Sequence, residues 1–140
     1  MSSRSPLNAW WRGRRWADDR GDTSIQMAII FPLVLLATLA VIQACMWYYA
    51  RQIAVTAARE GATAARTYQA SLADGVTRAR GVLARTAGDS LRDYDVTASS
   101  DGQRVRLTVT GHALSLIPGM PGLHITQRAS GPKERWVPGE

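Results

Sequence analysis

IQMAIIFPLVLLATLAVIQACMWYY, residues 25–49, carries no charged side chain, and its clearly polar residues are Gln26, Thr38 and Gln43 alone. At about 1.5 Å of rise per residue, roughly 20 such residues cross the ~30 Å hydrocarbon core of a bilayer as a helix. A buried core helix would need apolar partners on every side, and the rest of the 140-residue chain is too poor in large apolar side chains to supply them. The run therefore predicts a transmembrane helix over 25–49. Pro32 sits near its start, where a missing N–H costs least.

The flanks orient that span. Trp47, Tyr48 and Tyr49, followed by Arg51, form the aromatic and basic belt expected where a helix leaves the bilayer. Arg4, Arg12, Arg14, Arg15 and Arg20 precede the run, against Arg51, Arg59 and Arg66 within about 17 residues after it. The positive-inside rule then keeps the basic segment 1–24 in the cytoplasm and exports the C-terminal part across the cytoplasmic (inner) membrane. A secretory signal has an apolar core of about 7 to 15 residues. This run is longer, and the helical pattern continues past it. IQAC, residues 42–45, loosely resembles a lipoprotein signal ending in an acylated cysteine, but Gln43 and the long preceding run fit that pattern poorly.

Composition limits what the exported part does. Setting the anchor aside leaves room for one domain of about 100 residues or fewer. The net charge is +6, and all but one of the basic residues are arginines spread along the chain. Such a spread is no nucleic-acid footprint. The one tight group, in WWRGRRW, stands before a membrane span and fits lipid headgroups better. Cys45 is the only cysteine, so no disulfide forms within the chain.

Past the belt, ARQIAVTAAREGATAARTYQA, residues 50–70, places Ala50, Ala54, Ala58 and Ala62 four apart, with Ala57, Gly61 and Ala65 on a neighbouring stripe. Helix propensity alone explains the alanines, while the spacing provides a face on which another helix can approach closely. A continuous helix from about residue 26 to 68 would measure on the order of 65 Å. Leu72, Val76, Leu83 and Leu91 keep helical spacing through 71–93 and predict a second, shorter helix.

The period then changes to two. Tyr94, Val96 and Ala98 alternate, Asp101-Gly102 marks a turn, and Val105, Leu107 and Val109 alternate with arginine and threonine. After SLIPGMPG, residues 115–122, a third strand is expected over 123–129, with an irregular tail from 131 to 140. The expected fold class is α+β: a membrane-spanning helix continuing into a stalk, a second short helix, and a small antiparallel sheet head over 50–130.

No catalytic constellation stands out. His112 and His124 are far apart in sequence, lack a cysteine or HExxH partner, and read as two unrelated histidines rather than a metal site. Asp89, Asp93, Asp95 and Asp101 cluster around turns and strand ends, where aspartate commonly bonds backbone. GDTS and REGATA lack the lysine and the strand-before-helix setting of a phosphate loop. No cofactor is expected.

RGDTSIQ (20–26), Pro32, YARQ (49–52) and AAREGA (57–62) together resemble the TadE/TadG-like family of pilus-assembly proteins. That resemblance implies a pilin-like fold and a minor pseudopilin or assembly factor of a Tad (Flp-type) pilus or secretion system. It also implies other TadE/TadG-like subunits, Tad platform proteins and a prepilin peptidase as partners. Cleavage in such relatives falls after a glycine, here Gly21, leaving Asp22 as the new N-terminus. The fifth mature residue is usually glutamate, which neutralises a neighbouring subunit's amine; here it is Gln26. Glutamine can bond an ammonium but cannot cancel its charge. The alternative is a membrane-anchored exported binding module unrelated to pili, and an anchored enzyme comes third.

Overall fold

A computed structural model describes residues 18–67 and 69–135. The basic group Arg12, Arg14 and Arg15 and the last five residues of the tail lie outside them. The order is α1 (Asp18–Arg66), α2 (Leu72–Thr86), β1 (Leu91–Ser100), β2 (Arg104–Ala113) and β3 (His124–Pro132). This is the expected α+β arrangement of a long apolar helix, a short helix and an antiparallel sheet. Two compact units divide the chain, Met1–Val41 and Ile42–Glu140.

Among the described residues, the first unit is helix alone. Alanine, leucine and the β-branched residues of 25–41 form one uninterrupted helix through Pro32, and their large apolar side chains are exposed. The Thr38 hydroxyl donates to the Val34 carbonyl at 2.9 Å, so this polar interruption is satisfied by its own helix.

The second unit is a three-stranded antiparallel meander, ordered β1-β2-β3, packed against α2 and the last turns of α1. Strand β2 is central and follows a period of two: Val105, Leu107, Val109 and Ala113 are buried, while Arg104 and Arg106 are exposed. Leu83, Leu91 and Leu107 are fully buried, each burial contributing about 1.5–3 kcal/mol.

Caps and turns set the boundaries. Ser71 and Asp74 form a reciprocal capping box at the start of α2, satisfying two backbone donors that a helix start leaves orphaned. The β1–β2 turn is held by Asp101, whose Oδ1 accepts from the Gln103 and Arg104 amides at 3.0 and 2.7 Å. Gly102 takes φ +89 there, a conformation that a side chain would strain.

Three boundaries depart from the sequence reading. Leu91, read as helical, opens β1: α2 stops at Thr86, and Gly88 at φ +47 turns the chain out of the helix. Tyr94 does not share the buried face of Val96 and Ala98, because β1 shifts register between Arg92 and Asp95, with Asp93 at φ +49. Such a bulge resets the alternation. Strand β3 runs on to Pro132, and the following Glu134 amide donates to the Arg66 carbonyl at 3.1 Å.

Candidate membrane anchor and assembly surface

Among the described residues, α1 is the one helix long and apolar enough to cross a membrane. Ile29, Phe31, Leu33 and Leu36 are each more than 60 % exposed within the chain. Leaving such side chains in water costs about 1.5–3 kcal/mol each, and a lipid environment removes that cost. One apolar N-terminal helix of this kind is the arrangement of a single-pass membrane protein.

The small-residue stripe has a different neighbourhood. Ala50, Ala54, Ala57, Ala58, Ala62 and Ala65 are buried inside the second unit. Gly61 is buried with them. The helix that approaches them is α2 of the same chain: a Cβ built on Gly75 would lie 2.7 Å from the Gly61 carbonyl oxygen and 2.6 Å from the Ala65 Cβ. A Cβ on Gly61 would in turn overlap Leu107. At this crossing the two backbones pack without an intervening side chain, and Leu107 of the sheet covers the gap.

The expected interfacial residues divide. Tyr48 and Tyr49 are more than half exposed. Trp47 instead packs partly against the head's core, with the exposed Arg51 guanidinium 5.8 Å from its ring centroid, a cation–π distance. Gly21 and Asp22 fall in the N-terminal turns of α1, and Gln26 is an exposed residue of the same helix.

Gln43 is the residue whose role the sequence concealed. Its Nε2 donates to the Leu114 carbonyl at 3.0 Å, and its Oε1 accepts from the Leu116 amide at 2.9 Å. A side chain that looks like a polar blemish in an apolar run thus clips the loop after β2. Nothing local announces this, since the partners are more than 70 residues away.

Several titratable residues make contacts within the fold. Asp89 pairs with Arg92 and Asp95 with Arg80, both at 3.4 Å across exposed surface. Glu60 and Arg78, 2.8 Å apart, join α1 to α2. Two backbone amides pull the Asp101 carboxyl below its ordinary range, and the bonds from Ser71 do the same for Asp74. His112 and His124, unrelated in sequence, are cross-strand neighbours with ring centroids 5.2 Å apart. No third metal-ligating side chain joins them among the described residues.

No curated protein and no solved structure matches the chain. The family likeness lies within α1. Residues 21–63 match the family model of TadE-like proteins, consistent with a TadE/TadG-like protein.

Proposed function

We propose that this protein is a minor pseudopilin or assembly factor of a Tad/Flp-type pilus or secretion system. It sits as a single-pass protein in the cytoplasmic membrane, N-terminus inside and head outside. The observation that carries this reading is the TadE-like match over 21–63, which coincides with the apolar helix and its continuation into the head. Residues 25–42 form the lipid-embedded part, about 27 Å at 1.5 Å per residue, and Gln43 to Arg51 lie at the interface.

Other pilin-like subunits and platform proteins meet the exposed apolar half of α1. The alanine stripe is occupied by α2 and Leu107, which leaves the lipid-facing helix as the packing surface. Gln26, in place of the charge-pairing glutamate, favours an assembly role over efficient polymer entry. A prepilin peptidase would cut after Gly21, and this requires the first turn of α1 to fray, the least costly place for a helix to open.

Intact-mass and N-terminal peptide analysis of protein extracted from its native membrane tests the reading. A chain beginning at Asp22 supports a processed pseudopilin. A chain still carrying Arg12 to Gly21 supports a permanently anchored assembly factor. Absence of crosslinks from the apolar half of α1 to any pilin-like subunit would overturn both.

A further inference from the structure

The loop joining β2 to β3, LSLIPGMPGL (114–123), has no charged residue in a chain where one residue in five is charged. Leu116, Ile117, Met120 and Leu123 are 43 %, 52 %, 58 % and 54 % exposed. Among the described residues of the head, the other large exposed apolar side chains are Ile42, Tyr48, Tyr49 and Tyr94. All but Tyr94 thus belong either to this loop or to the stretch of α1 where the chain enters the head. A soluble head would rarely gather its exposed apolar surface in this way.

The loop is built rather than loose. Gln43 holds it at both Leu114 and Leu116. The Ala113 amide donates to the Leu123 carbonyl at 2.9 Å, closing its base, and the Met120 amide donates to Ile117 at 3.2 Å. The Ser115 hydroxyl accepts from the Ile117 amide. These bonds satisfy the amides of Leu116, Ile117 and Met120 and the carbonyls of Leu114, Ile117 and Leu123, which lowers the cost of bringing that part of the backbone to the polar–apolar boundary of a bilayer. Gln43 also fixes the loop's level along α1, six residues before Tyr49, or about 9 Å toward the apolar run. If Tyr48 and Tyr49 mark the headgroup layer, the loop reaches the depth of about 5–10 Å at which interfacial elements bury their apolar face.

We propose that residues 114–123 form a second membrane contact, seating Leu116, Ile117 and Met120 in the outer interface of the bilayer and fixing the head against the lipid surface. The proposal rests on the single-pass reading above. With α1 as one attachment and the loop as another, the head meets the bilayer at two points.

The test uses the full chain with Cys45→Ser, reconstituted in phosphatidylcholine vesicles with and without brominated acyl chains. An environment-sensitive fluorophore is placed on single cysteines at Leu35→Cys, Ile117→Cys, Met120→Cys or Ser99→Cys. Ser99 pairs with Arg106, seven residues along β2 from Ala113, or about 23 Å from the loop at strand rise. The expected result is loss of fluorescence to brominated lipid at 35, 117 and 120, and none at 99. Loss at 35 alone overturns the loop contact and leaves the anchor standing. No loss at 35 overturns the membrane reading and the loop with it. A blue-shifted label at 117 that brominated lipid does not quench means that protein, such as a second copy, covers the loop, which also overturns the proposal.

Discussion

The Gly61 carbonyl oxygen and Gly75 meet where α1 crosses α2, with 2.7 Å between that oxygen and the position of any Cβ on Gly75. The contact has no room for a methyl group, and the tightness extends to Leu107 and Ala79 around Gly61. Overpacking at a rigid backbone contact costs about 1–3 kcal/mol. Gly75→Ala should therefore lower the unfolding midpoint of the head, and Gly61→Val should lower it further. Thermal unfolding in detergent micelles, followed by circular dichroism, measures both. Membrane insertion should be unchanged, because the anchor lies elsewhere in α1. An unaltered midpoint in both variants would refute the crossing.

Gln43→Leu removes both bonds to the 114–116 backbone. Each hydrogen bond contributes about 0.5–1.5 kcal/mol net, so the loss should appear locally before it appears in global stability. Hydrogen exchange at the Leu116 amide should accelerate, and limited proteolysis should gain a cut within 114–123. The apolar run should insert at least as well as before, having lost a polar side chain. Unchanged exchange at Leu116 would show that the clip does not hold the loop.

Asp74 and Asp101 give the head a specific acid response. Hydrogen bonds from Ser71, and from the Arg104 and Gln103 amides, hold these carboxyls below their ordinary values. A carboxyl depressed in the folded state stabilises the fold above its unfolded pKa of about 3.9, and that stability is lost as pH falls through the folded value. The unfolding midpoint should thus be level above about pH 5 and drop in more acidic buffer. Asp74→Ala should be less stable than the parent at neutral pH and approach it in acid. A constant difference across the range would contradict the assignment.

Ser71→Ala removes the other half of the same capping box. N-cap serine to alanine typically costs about 0.5–2 kcal/mol. The loss should fray the first turn of α2, seen as faster amide exchange at Asp74, whose N–H donates to the Ser71 hydroxyl. Ser71→Thr, which keeps a hydroxyl able to accept from the Asp74 amide and donate to its carboxylate, should recover most of it.

Gln26→Glu tests the assembly reading at its most unusual residue. A carboxylate at this position can neutralise a neighbouring subunit's amine where glutamine only bonds it. The variant should raise the share of the protein recovered with sheared filaments, with its total membrane level unchanged. No change in that share would mean that polymer entry is limited elsewhere.

Much of this molecule was determined by sequence alone, because it depends on local chemistry. In lipid, with no water to bond its backbone, a single uncharged run long enough to cross a bilayer satisfies its own amides and carbonyls as a helix. The period of two in Val105, Leu107 and Val109, with the Asp101-Gly102 turn before it, is set by backbone geometry over a few residues. The TadE-like segment belongs to the same class, since its match falls within one stretch of chain, residues 21–63.

Tertiary structure decided what those elements do to one another. The stripe from Ala50 to Ala65 announces that a helix can approach, but only packing shows that α2 takes the place, since small residues accept any close partner. Leu91 carries no mark of strand rather than helix until Gly88 turns the chain and β2 offers it a partner at Ala113. The pairing of His112 with His124 follows from sheet register, which cross-strand hydrogen bonds set. Gln43 is the clearest case: a buried or lipid-facing polar group needs a partner, and its partner is a backbone segment brought near only when the whole head has folded.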